Sequence, residues 1–195
     1  KQKIARLCAL GQQSKVTVAV DNPKNIEDLS DSAQRSGVTL NVLVDIHTGL
    51  ERCGVEPGQP AVDLARAVSK ANSLYFAGLM TYEGAILREN TEELESESRR
   101  WIQLVLDTRE MVERDGMEVE VVSVGGTHNY EIAGAISGVT EVPAGSYALM
   151  DYRYCQYRPQ FKPAAKVIAT VLSHPEPGLS LVDLGGKAIG GDGGL

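Results

Sequence analysis

The sequence predicts an α/β fold built on a parallel sheet, and three observations carry that expectation. Up to about residue 139, helical and strand patterns alternate as α-β-α-β-α-β-α-β-α, the order that right-handed crossovers in a parallel sheet require. The stretch Val42, Leu43, Val44 and Ile46 is nearly all apolar, as in a strand covered on both faces. Asp45 interrupts it at the C-terminal end, where the loops of such folds converge on ligands.

Each element has a local reason. Ile4, Leu7, Cys8 and Leu10 share one face of KQKIARLCALG, a helix stopped by Gly11. KVTVAVD follows as a strand over Val16–Val20. Pro23 and Asn25 open a second helix with Ile26, Leu29 and Ala33 inward and Gly37 closing it. The central strand spans 39–46, and a loop with five Gly or Pro residues leads to a helix over Pro60–Ala71 with Leu64, Ala67, Val68 and Ala71 inward. LYFAGLMTY is a strand over about 74–82. Asn90 with Glu93 resembles a capping box opening the longest helix, 91–114. Its inner stripe is Leu94, Trp101, Ile102, Val105, Leu106 and Val112. VEVVSVGG is a strand and glycine turn over 119–126, before a short helix at Tyr130–Ile136. Beyond, the short run ALMDY and the aromatic stretch YRYCQYRPQF precede AKVIATVLS and LSLVDLG, which read as antiparallel strands joined by the turn PEPG, the start of a β-rich second domain.

Composition excludes several classes. A net charge of −7 with no offsetting basic cluster argues against nucleic-acid or membrane-surface partners. No apolar run is long enough to span a bilayer, and no signal-peptide pattern is present. Cys8, Cys53 and Cys155, an odd number without metal-like spacing, fit free thiols in a reducing cytoplasm. The three histidines are equally scattered, so a metal site built from these residues alone is not expected.

Chemistry concentrates past the strand ends. Asp45, Thr48, Gly49 and Arg52 place a carboxylate, a hydroxyl, a permissive backbone and a fork of donors within one short stretch. VSVGGT offers Gly125, Gly126 and Thr127 as a phosphate cradle at a strand-to-helix junction. Gly145, Ser146 and Tyr147 repeat the recipe one strand later. Tyr82 ends its strand at the same rim, either capping the sheet or lying beside a planar ligand. His128 reads as a solvated loop histidine, Cys53 as a small packed residue, and Lys187 as structural.

These blocks resemble the D-threonine aldolase and D-serine dehydratase family of fold-type III pyridoxal-phosphate enzymes, typified by alanine racemase. The pieces are VDIHTGLERCGV, GLMTYEG, VSVGGTHNYEIAG, EVPAGSYALMDYRY and LVDLGGKAI, spread over nearly the whole chain. The resemblance implies a (partial) TIM-type β/α barrel over 1–158 binding pyridoxal phosphate, with a C-terminal β domain beginning at 159–195. It implies Arg52 on the cofactor's phenolic oxygen and Tyr82 against its ring, both catalytic and cofactor-binding. Gly125, Gly126, Thr127, Gly145, Ser146 and Tyr147 would hold the phosphate. His128 departs from the small residue expected after GGT, and Ala85 and Ile86 stand where relatives carry a polar residue.

The family's Schiff-base lysine is expected upstream of this chain and its divalent-metal ligands (for Mn, Mg or Zn) beyond residue 195. The chain alone is therefore expected to be an inactive internal fragment with about five of eight barrel strands. The parent is expected to be a cytoplasmic homodimer acting on D-3-hydroxy amino acids, D-threonine aldolase-like by its GSYALMDYRY block. Alternatives are a D-serine dehydratase, a racemase of the same fold, a non-catalytic pyridoxal-phosphate carrier, or a doubly wound domain binding another phosphate ligand.

Overall fold

The computed structural model describes residues 2–83, 90–186, 188 and 189; Ala85, Ile86 and Lys187 lie outside them. The chain forms two compact units, Lys1–Gly145 and Ser146–Leu195; the expected domain boundary after 158 falls within the second.

The first unit is the expected alternation: α1 (Gln2–Gly11), β1 (Thr17–Val20), α2 (Pro23–Ser36), β2 (Leu40–Asp45), α3 (Gln59–Lys70), β3 (Leu74–Met80), α4 (Thr91–Arg114), β4 (Val121–Ser123) and α5 (Tyr130–Gly134). The strands are parallel in the order β1-β2-β3-β4, an open sheet rather than a closed barrel. A parallel bridge from Ser123 to Glu141 adds a trace of a fifth strand.

The helices pack because their apolar stripes meet the strands. Val42, Val44, Ile46, Leu79, Val122 and Val124 form the sheet's part of one core, which Ile26, Leu29, Leu64, Val68, Ile102 and Val105 cover. In α4 the inner stripe is as expected for Leu94, Ile102, Val105 and Val112, while Trp101 and Leu106 remain half-buried. Trp101 instead lies flat under Arg100, whose guanidinium carbon is 4.4 Å from the ring centroid.

The caps correct two expectations. Asn22, one residue before the expected opening at Pro23, caps α2, its Oδ1 accepting from the Lys24 N–H at 2.7 Å. At α4, Asn90 Oδ1 accepts from the Glu92 N–H at 2.8 Å, a side-chain cap one residue short of a capping box. The registers Val42↔Phe76 and Leu43↔Gly78 leave Ala77 as an extra residue, so β3 carries a bulge next to the core.

The second unit begins with a 3₁₀ turn at Ser146–Ala148 and the short helix α6 (Tyr152–Tyr157), which the sequence reading did not anticipate inside YRYCQYR. Asp151 caps it, Oδ1 accepting from the Tyr154 N–H at 2.8 Å. β5 (Val171–Glu176) and β6 (Leu179–Val182) pair antiparallel as expected, though β5 starts later than AKVIATVLS suggests. Both strands are exposed throughout, Leu172 within β5 and Ile168 just before it among the uncovered apolar residues.

Candidate active site

Register decides which loops meet. Asp45 pairs with Met80 and Met80 with Ser123, so β2, β3 and β4 end level and their following residues share one rim. The β2 loop folds back on its own strand: the His47 N–H donates to the Val55 carbonyl at 2.7 Å, and the Val55 N–H donates to the Asp45 carbonyl at 2.9 Å. Gly54 N–H donates to the Asp21 carboxylate beyond β1 at 3.2 Å.

This folding carries Arg52 over the Tyr82 ring, its guanidinium carbon 5.3 Å from the centroid. Arg52 is exposed and Tyr82 half-buried. The His128 ring also meets Tyr82, edge-on at 5.8 Å and 86°. His128 is buried rather than solvated as expected, because the chain turns inward after Gly126. Cys53, expected to be packed, is exposed on the β2 loop.

Gly126 is needed for this closeness. A Cβ there would stand 3.0 Å from Tyr82 Cε2 and 3.3 Å from His128 Nδ1. Its N–H donates to Asn129 Oδ1 at 2.9 Å, and Asn129 Nδ2 donates to Ser98 Oγ on α4 at 3.2 Å. The Gly125 N–H donates to Glu83 Oε2 at 2.8 Å. Both glycine amides are thus engaged within the chain, so these residues shape the rim, and Thr127, itself buried, is the next polar group along it.

Glu83 was missed by the sequence reading. It is fully buried, and Oε1 has no hydrogen-bond partner. Burial pushes its carboxyl up from 4.5 to about 7, against the pull of its own N–H and that of Gly125. The available signal was an acidic residue just past a buried parallel strand, the same signal that marked Asp45. Burial also raises the Asp45 carboxyl; Arg52 draws it down, Asp21 raises it and His47 lowers it.

A hydroxyl pair braces the rim. Thr81 Oγ1 donates to the Ile46 carbonyl at 2.7 Å, leaving Thr48 to donate to Thr81 Oγ1 across 2.6 Å. Both threonines are buried. Replacing Thr81 by Val should strand the Thr48 hydroxyl and cost about 1–3 kcal/mol in chemical denaturation; an unchanged midpoint would mean that water replaces the bond.

Gly145 closes the first unit a few residues past the Glu141 bridge and is exposed. Ser146 and Tyr147 belong to the second unit. There the Ser146 carbonyl accepts from the Met150 N–H at 2.8 Å, and the exposed Tyr147 ring lies 5.8 Å from Phe161. Among the described residues no three His, Cys, Asp or Glu side chains gather as a metal site, and no helix is long and apolar enough to cross a membrane.

Level parallel strand ends alternating with covering helices define a β/α domain of the kind whose strand-end loops converge on one rim. Residues 4–153 match the family described as alanine racemase, N-terminal domain, and the chain belongs to that family, the fold-type III pyridoxal-phosphate group. It is 34% identical over 203 residues to the 3-hydroxy-D-aspartate aldolase of Paracoccus denitrificans (strain Pd 1222), covering 99% of this chain and 52% of that protein. To the D-threonine aldolase of Arthrobacter sp. it is 31% identical, covering 95% and 50%. The crystal structure of D-threonine aldolase from Filomicrobium marinum superimposes with a TM-score of 0.94 at 35% identity, covering all of this chain and 54% of that one. The chain spans about half the length of the curated relatives it matches.

The donor set fits that group's cofactor. Arg52 is a permanent cation and Tyr82 an aromatic ring, chemistry that suits an anionic, flat heterocycle, and the missing Cβ at Gly126 makes room for the Tyr82 and His128 rings.

Proposed function

We propose that the protein carrying this chain is a pyridoxal-phosphate-dependent lyase that cleaves the Cα–Cβ bond of D-3-hydroxy amino acids, D-threonine aldolase-like, giving glycine and an aldehyde. The observation that carries the reading is the Arg52–Tyr82 stack on the shared rim, in a chain whose similar proteins include D-threonine and 3-hydroxy-D-aspartate aldolases. When bound, pyridoxal phosphate supplies the electron sink for the broken bond.

The chain's own part is to bind and orient. Arg52 would favour the ionised phenolic oxygen of the bound cofactor, since a guanidinium keeps its charge at any working pH. Tyr82 would lie against the cofactor's ring, with Arg52 and His128 limiting the movement of Tyr82. Thr127 and Gly145 would receive the phosphate, while Gly125 and Gly126 would shape the approach. A divalent metal belongs to this reading, and its ligands are assigned to no residue of this chain. A cytoplasmic homodimer also belongs to it; free Cys8, Cys53 and Cys155 suit a reducing compartment.

The test is turnover of D-threonine by the full protein with Arg52→Ala and Arg52→Lys. Loss of a charge-assisted hydrogen bond should lower the rate about 10- to 150-fold in Arg52→Ala. The cofactor's absorbance should shift with pH, and Arg52→Lys should recover part of the rate. Unchanged turnover and spectrum would return Arg52 to the role of a surface cation. Products of a keto acid and ammonia, instead of glycine and acetaldehyde, would replace the aldolase with a dehydratase.

A further inference from the structure

Glu83 is an ionisable group that the binding scheme leaves unused, although it lies at the centre of the rim. It follows Tyr82 directly, is 0% exposed, and is attached by Oε2 to the Gly125 N–H. Gly125 precedes the glycine whose missing Cβ leaves room for both Tyr82 and His128. The second anchor of the turn is Asn129, through Gly126. One anchor can ionise and the other cannot.

We propose that Glu83 is a positioning residue for the cofactor site: its carboxylate fixes the Gly125–Gly126 turn against Tyr82, and protonation loosens that turn and weakens cofactor binding. This rests on the reading of the rim as a pyridoxal-phosphate site. Because Oε2 is occupied by an N–H, the proton enters on the orphaned Oε1. A carboxylate accepts an N–H about twice as strongly as a neutral carboxyl does, so the Gly125 bond weakens when it arrives. The carboxyl's elevation to about 7 places this change near neutrality.

Ionisable groups on the neighbouring elements include Asp21 past β1, Asp45, His47 and Arg52 at the end of β2, Tyr82 beside Glu83, His128 after β4, Glu141 bridged to Ser123, and Glu95, Glu97, Arg99 and Arg100 on α4. None of them figures among the causes of the Glu83 shift, which are burial and two backbone N–H groups. The change is therefore assigned to Glu83 itself.

The experiment uses the full protein, Glu83→Gln and Glu83→Asp. The Gly125 amide resonance is followed against pH without cofactor, using glycine-selective isotope labelling. Pyridoxal phosphate affinity is then measured by equilibrium dialysis at pH 6 and pH 8. The Gly125 amide should titrate near pH 7 in the unmodified protein and stay flat in Glu83→Gln. Affinity should fall about threefold to tenfold from pH 8 to pH 6, beyond the change seen in Glu83→Gln. That variant corrects for the cofactor's own phosphate, which titrates near pH 6. Glu83→Asp, one methylene shorter, should bind weakly at both pH values.

A Gly125 amide that is flat in the unmodified protein would overturn the proposal even if Glu83→Gln failed to fold. So would equal pH profiles of affinity in the two proteins. A titrating amide with no cofactor binding at any pH would overturn the cofactor reading, and the positioning role with it, while the Glu83–Gly125 bond stood.

Discussion

Gly78→Ala should destabilise the first unit by about 3 kcal/mol or more, enough to abolish most soluble expression. Gly78 has φ 150°, and a Cβ there would stand 2.0 Å from the Val121 carbonyl oxygen and 2.9 Å from its nitrogen. Those atoms are backbone of the neighbouring strand, so no rotamer change relieves the clash. Gly78 pairs with Val121, and to admit a methyl β4 must move away from β3. The movement would draw Gly125 from Glu83 and separate the rim's two halves. Gly37→Ala is the control: its φ is 63° with open space around it, so only the conformational cost of about 1 kcal/mol applies. Denaturant midpoints for both variants decide the matter, and equal costs would show that the strands yield to the methyl.

The second large effect is a loss of stability with rising pH that belongs to Glu83. Its carboxyl is held at about 7 in the folded chain against 4.5 ordinarily, and burial is the main cause. A group raised in the folded state binds more protons there than when unfolded, so its contribution is full below about 4.5. It is lost as pH climbs through about 7. The difference amounts to about 3 kcal/mol between pH 4 and pH 8. Glu83→Gln carries no such charge, so urea unfolding of the two proteins should diverge by that amount, with the unmodified protein falling behind at high pH. Parallel pH curves would mean that Glu83 finds a partner for its charge. This global penalty and the local weakening of the Gly125 bond oppose each other: protonation relieves a buried charge while loosening the turn it anchors.

How much of this was legible in the chain follows from the range over which each feature is encoded. The alternation of elements, the inner stripes of α2, α3 and much of α4, and the Gly37 stop depend on residues within one or two turns of each other. Periodicity alone displays them. Asp45 was found because a carboxylate interrupting an apolar strand is itself a local irregularity. Motif resemblance added Arg52 and Tyr82 as partners, although their positions in the sequence say nothing of a guanidinium standing 5.3 Å from a ring.

The tertiary structure alone decided the features that depend on distant pairs. Nothing local marks Glu83 as buried; its burial follows from Gly125, 42 residues later, whose N–H it accepts. His128 looked solvated until the turn carried it in beside Tyr82. The start of α2 was read at Pro23 and Asn25, but φ of −146° and ψ of 132° put the capping, non-helical residue at Asn22. The bulge at Ala77 was hidden because a strand's own pattern does not state its register with a neighbour. Local sequence sets which backbone shape each segment prefers. Burial, and with it the charge state of a carboxyl such as Glu83, is set by whatever the rest of the chain packs on top of it.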